Sequence, residues 1–179
     1  MDKPTEQVEF ETMLLGRYTL NPQHLRESGL LDRSAYLLLS RLNVEGPMSI
    51  GQLCEAFGLN SSTLNRQTAA LLRTGLVERI PDPDGGMARK FRITTKGERR
   101  FGAERATRVD GLADIMKDWA PEDVTAFADH LRRLNRDIER RRGQFWPRSE
   151  SEHADQAPTA RSAGTAPTPS SDPRPAQTA

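Results

Sequence analysis

The chain has one cysteine, Cys54, among its 179 residues. A single thiol excludes an intramolecular disulfide and any zinc site built on several cysteines. Histidine is nearly as scarce. His24, His130 and His153 stand far apart, without the local spacing of metal ligands, so none reads as one. No apolar run is long enough to span a bilayer, and the acidic N-terminus has no signal-peptide pattern. The expectation is a cytoplasmic protein with no membrane partner. Catalytic signatures are missing too. Gly85-Gly86 sits in turn sequence rather than a phosphate-binding loop, there is no nucleophile elbow, and acidic pairs such as Glu122-Asp123 read as helix starts. Neither an enzyme nor a cofactor is expected.

Apolar residues make up only 35% of the chain, so part of it is not expected to pack. That part is residues 147–179, where Pro, Ala, Ser and Thr dominate and large apolar side chains nearly vanish. Such a segment cannot bury enough surface to offset its conformational entropy, and disorder is predicted for it. The charge of the rest is unevenly placed. Residues 1–60 carry five Lys and Arg against eight acids, whereas residues 61–100 carry nine against four. A basic excess confined to one stretch is what a phosphate-facing surface needs.

That stretch also has the most pattern. Ser49 followed three residues later by Gln52 has the form of a capping box. Ile50, Leu53, Cys54 and Phe57 then repeat at helical spacing, and Gly58 stops the helix. A second helix is predicted from Asn60 or Ser61 to Gly75, with Leu64, Ala69, Leu71, Leu72 and Leu76 inward. Ser61, Ser62, Thr63, Asn65, Arg66 and Gln67 are left outward, a set whose hydroxyls, amides and guanidinium suit base edges and phosphates. Leu76 to Ile80 reads as a strand. Turn residues Pro81 to Gly86 follow, and Ala88 to Thr94 alternate basic and apolar as a returning strand does. A helix-turn-helix followed by a basic two-stranded hairpin is a winged helix.

The ordered run from Pro47 through "LVERIPDPDGG" to "RITTKG" resembles the core of the MarR family, bacterial winged-helix transcriptional regulators, and the likeness extends over roughly residues 5 to 146. The resemblance implies a homodimer on pseudo-palindromic double-stranded DNA, acting as a repressor relieved by a small effector. It also implies an effector cleft between the dimer helices and the DNA-binding lobe, for which Tyr36 and Trp119 are candidates; core packing is the alternative for both rings. Many members carry an Arg near the wing tip where Met87 stands here, and Arg89 is the candidate replacement. Some sense oxidants through a cysteine, although Cys54, on an apolar helix face, reads better as a small core residue.

The flanking sequence supplies more helices. Thr5 to Tyr18 and Arg33 to Asn43 have helical apolar spacing, the latter capped by Asp32, and Gln23 to Glu27 fits a short turn. Lys96-Gly97 opens a long helix to Trp119, with Val109, Leu112, Met116 and Trp119 on one stripe. A last helix starts at Ala120-Pro121 and runs to Arg142, with Val124, Phe127, Leu131, Leu134 and Ile138 as a heptad seam. These stripes need a partner surface, and a two-fold dimer is the simplest. The predicted fold is mainly α with a small β-wing. Residues 30–97 form the winged helix-turn-helix, flanked by dimerisation helices in 1–20 and 98–146.

The DNA-binding candidates are thus Ser61, Ser62, Thr63, Asn65, Arg66 and Gln67 on the second motif helix, with Arg89 and Lys90 on the wing. Each has a plainer reading. Ser61 and Ser62 also suit a helix cap. Arg89 and Lys90 also suit the charged decoration of an edge strand. Asp84 either pairs with Arg89 or simply forms the turn. The rival function is a winged-helix protein-interaction adaptor that no longer reads DNA.

Overall fold

The computed structural model describes residues 4–19 and 31–148. Helix α1 is Thr5–Thr19, α2 Arg33–Glu45, α3 Ile50–Phe57, α4 Ser61–Arg73, α5 Thr95–Ile115 and α6 Pro121–Arg142. Strands are β1 Met48–Ser49, β2 Val77–Ile80 and β3 Lys90–Ile93. The turn predicted at Gln23 to Glu27 and the tail predicted to be disordered both lie outside the described residues, apart from Pro147 and Arg148.

Local chemistry sets most boundaries. The Asp32 carboxylate accepts from the Ala35 N–H at 2.9 Å and starts α2. Burial alone raises the Asp32 pKa, but hydrogen bonds from Ser34 and Ala35 more than offset this and hold it below the usual carboxylate range. Ser49 and Gln52 form the full reciprocal capping box of α3. Gly58 then takes a left-handed conformation (φ 61°), which a residue with a Cβ adopts only under strain.

The sheet has three strands where two were expected, in the order β1-β3-β2 and antiparallel throughout. Met48 and Ser49 pair with Phe91 and Lys90. A two-residue strand gives no periodicity to read, and Ser49 is used twice, as strand and as helix cap. Leu38, Leu39 and Leu42 of α2 meet Leu53, Leu64, Leu71, Leu76, Val77, Phe91, Ile93 and Phe101 in one apolar cluster. This core packs α2, α3 and α4 together and is closed by the wing, with α5 joining through Phe101.

The long helix ends at Ile115 rather than Trp119. Ala120 must be extended (ψ 143°) because Pro121 follows, so the chain leaves the helix beforehand in a turn closed by Trp119 N–H to Met116 O at 2.9 Å. Trp119 packs edge-on against Phe127 of α6, with centroids 5.6 Å apart.

No residue of α6 is buried. Its Phe127, Leu134 and Ile138 are exposed, as are Val109, Leu112 and Ile115 of α5 and Val8, Phe10, Met13, Leu15 and Tyr18 of α1. Most helical stability comes from packing an apolar face, so these stripes are incomplete in a single chain. Between α1 and α6 lies an apolar cavity of about 580 Å³, lined by Val8, Leu14, Leu15, Phe127, Leu131 and Leu134 among others.

Candidate nucleic-acid interface

Helix α4 is held from within. Leu64, Thr68 and Leu71 are buried, and the Thr68 hydroxyl is satisfied by the Leu64 carbonyl at 2.8 Å. That fixes the rotation of the helix. Ser61, Ser62, Asn65 and Arg66 are consequently exposed, and Thr63 and Gln67 half-buried. The cap is Asn60, whose Oδ1 accepts from the Thr63 N–H at 2.9 Å and the Ser62 hydroxyl at 2.8 Å. The capping task offered to Ser61 and Ser62 therefore falls to the residue before them. No acidic residue lies in the first turn, so the positive end of the helix is left for an anion.

The wing follows α4 directly, through Gly75 (φ 69°) and Leu76, whose N–H donates to the Leu71 carbonyl at 3.0 Å. Val77 to Ile80 pair with Ile93 to Lys90. The tip differs from the sequence reading. Lys90 is buried, and its Nζ lies 2.7 Å from an Asp82 oxygen and 2.8 Å from one of Asp84. Asp84 thus takes Lys90 rather than Arg89, because the turn brings its carboxylate under the strand end. The hydrogen bond from Lys90 holds Asp82 below the usual carboxylate range, and the two carboxylates raise the Lys90 pKa. Asp82 also explains Gly86, where an added Cβ would overlap its carboxylate. Lys90 is therefore placed as the brace of the wing. Met87 is fully exposed, and Arg89 is exposed beside it. Two other cations are engaged within the sheet: Arg92 donates to Glu78 at 2.8 Å, and Arg79 lies over the Phe91 ring at 5.1 Å.

Tyr36 and Trp119 are not brought together. Tyr36 packs on Phe101, with Arg108 over its ring at 4.4 Å, whereas Trp119 packs on Phe127 past the end of α5. Cys54 is half-buried against the core, as expected of a small packing residue. His130 sits on exposed α6, its ring nitrogen against the Ala126 carbonyl. His24 and His153 lie outside the described residues, among which no group of three or more His, Cys, Asp or Glu is placed to hold a metal.

Two junctions escaped the sequence reading. Thr94 caps α5 by accepting from the Gly97 N–H at 3.1 Å, and its hydroxyl donates to the Gly75 carbonyl at 2.7 Å, tying the helix to the wing base. Farther along α5, Glu104 is fully buried. It accepts from the Leu31 N–H at 3.1 Å and from Arg108 at 2.8 Å, with Arg100 at 3.7 Å. The four-residue spacing of Glu104 from Arg100 and Arg108 was the available signal, but the same spacing marks many solvated helix faces.

A sequence model of the MarR family matches residues 31–85. The chain is 35% identical over 134 residues to the uncharacterised HTH-type transcriptional regulator YxaD of Bacillus subtilis (strain 168), covering 74% of this chain and 94% of that one. The chain belongs to the MarR family. A MarR family protein from Bacillus stearothermophilus shares the fold with a TM-score of 0.62 at 24% identity, covering 77% of this chain and 99% of the other. The HTH-type transcriptional repressor IacR of Pseudomonas putida is 25% identical over 125 residues, which is 69% of this chain and 70% of that repressor. This MarR-family chain is a transcriptional regulator with a DNA-binding winged helix-turn-helix. No helix of the described residues is long and apolar enough to cross a membrane.

Proposed function

We propose that the protein is a homodimeric repressor that binds pseudo-palindromic DNA through α4 and is relieved by a small effector. The carrying observation is the outward polar face of α4, with Ser61, Ser62, Asn65 and Arg66 exposed on a helix whose other side is locked by Leu64, Thr68 and Leu71. Thr63 and Gln67 flank that face. Arg89 at the wing tip reaches the backbone or minor groove, while Lys90 keeps the wing in shape. The incomplete apolar stripes of α1, α5 and α6 support the dimer, and likeness to a named repressor supports the sign of regulation. Release by an effector is a shift between two spacings of the recognition helices.

The test is binding to the duplex upstream of the protein's own gene and to a scrambled duplex, with Arg66→Ala beside the wild type. Selective, salt-sensitive binding is expected. Losing one base-edge or phosphate contact at Arg66 should weaken it by about tenfold or more. A second reading has one observation behind it. Met87 is fully exposed at the wing tip while the Lys90 ammonium is turned inward, and an apolar tip suits a protein partner. Wild-type protein that binds neither duplex at low salt would select that adaptor.

A further inference from the structure

Helix α6 ends at Gly143, left-handed at φ 66°, and the chain turns back onto the helix-turn-helix. The Gln144 amide lies over the α3–α4 turn. A Cβ built on Gly58 would stand 3.2 Å from Gln144 Cδ and closer still to its Nε2. Trp146 meets Phe57, the last residue of α3, edge-on with ring centroids 5.4 Å apart. The guanidinium of Arg41 from α2 also sits over the indole, 5.1 Å from its centroid.

Arg41 shows that this contact is built into the core. It is buried, and its Nε and Nη2 donate to Glu45 at 2.7 and 3.0 Å. Its Nη1 donates to the Phe145 carbonyl at 2.9 Å. A buried guanidinium is costly unless its donors are satisfied, so α2 depends on this segment for an acceptor. Arg148 then locks the return by donating to Glu139 at 2.7 and 3.0 Å and to the Trp146 carbonyl at 3.2 Å.

We infer that Gln144 to Trp146 clamps the C-terminal end of α6 onto the helix-turn-helix, and that Trp146 is a positioning residue for the recognition helix α4. The end of α3 and the Gly58 turn fix where α4 begins. Pinning Phe57 and covering Gly58 therefore fixes the approach of α4. The clamp itself stands on these contacts alone; its consequence for DNA rests on the reading above.

Cys54 provides a readout that needs no DNA. It is the only thiol, half-buried on α3 three residues before Phe57. The full chain is compared as wild type, Trp146→Ala, Trp146→Phe and Gln144→Ala, by the rate of thiol modification with dithionitrobenzoate and by affinity for the upstream duplex. The two ring contacts are of a size that shifts local opening by about tenfold, so Trp146→Ala should speed labelling by that factor and weaken DNA binding. Trp146→Phe keeps a ring in contact with Phe57 and Arg41 and should stay within about twofold of wild type. Gln144→Ala uncovers the turn and should accelerate labelling modestly, which keeps the test alive should Trp146→Ala not fold. Unchanged labelling in folded Trp146→Ala and Gln144→Ala overturns the clamp. Faster labelling at wild-type DNA affinity overturns the positioning role. Faster labelling in a protein whose wild type binds no duplex upholds the clamp and counts against the DNA reading instead.

Discussion

Gly97 and Gly102 lie on the same helix, α5, and replacing each by alanine should have opposite effects. Alanine is the better helix former by about 1 kcal/mol at an interior position, so propensity alone favours both changes. Gly102 is exposed, and a Cβ there meets nothing within 4 Å. Gly102→Ala should therefore stabilise by about 0.5–1 kcal/mol. At Gly97 a Cβ would overlap the Leu76 carbonyl oxygen, 3.0 Å from its carbon and 2.8 Å from Ile93 Cγ1. Neither neighbour is free to yield. Leu76 O accepts from the Thr94 N–H at 3.1 Å, and Ile93 is a core residue paired with Val77. Overpacking a site of this kind costs about 1–3 kcal/mol, and pushing the Leu76 carbonyl aside costs about 1 kcal/mol more in its hydrogen bond. Gly97→Ala should lose about 2–4 kcal/mol, or roughly 5–15 °C in Tm for a chain of this length. Both variants are followed by thermal and urea unfolding at one fixed protein concentration, because the stability of the proposed dimer would depend on it. A Gly97→Ala protein within about 0.5 kcal/mol of wild type would refute the close approach of helix and wing base.

Two further outcomes concern buried charge. Glu104→Ala leaves the Leu31 N–H without its carboxylate acceptor and the Arg108 guanidinium without its anion. Urea unfolding should show a loss of about 2–4 kcal/mol, partly restored by Glu104→Gln, and a loss below about 1 kcal/mol would mean the carboxylate does not hold the joint. At the wing, the lowered Asp82 pKa means that the folded form favours the carboxylate. Its contribution is present above the unfolded-state value and is lost as pH falls through the lowered one. Protection factors of the amides in residues 82–90, with each rate taken relative to the intrinsic rate at that pH, should therefore fall only in acid, from the usual carboxylate range downward, and Lys90→Met should lower them at neutral pH and flatten that dependence. An identical acid profile in Lys90→Met would remove Lys90 as the brace.

What the sequence disclosed was whatever local rules govern. Ser49 with Gln52, Asp32, and Pro121 at the start of α6 each follow from chemistry within a few residues, and the structure places each as expected. The errors share a cause in long-range or directional contacts. Lys90 was read as outward because β3 alternates basic and apolar residues, yet the turn delivers two carboxylates to the strand end and draws it in. The apolar stripe through Met116 and Trp119 continued the helical period across a turn that Pro121 enforces. Glu104 and Arg41 drew no expectation from the sequence, since only tertiary packing shows that they are buried. Trp146 touches residues about ninety and a hundred positions earlier, beyond any window of periodicity.

These junctions bear on how the effector release proposed above would reach α4. Helix α5 is fixed to the DNA-binding lobe at its start by Thr94 and again at Glu104 and Arg108, three to four turns along. Residues 95–108 therefore move with that lobe as a rod of about 20 Å. Beyond Arg108 the apolar side chains Val109, Leu112 and Ile115 are exposed, so the helix is not held there within one chain. The change of spacing proposed for two recognition helices would be absorbed past that point, in the Met116–Ala120 turn or where α1 and α6 line the cavity. Helix α6 returns from there to the helix-turn-helix, where the Trp146 clamp grips the end of α3. An effector that parted α1 from α6 in the apolar cavity between them would thus pull on the α3–α4 turn directly through α6, without bending α5. On that proposal the clamp, rather than the long helix, would be the direct route from the cavity to the proposed DNA-reading face of α4.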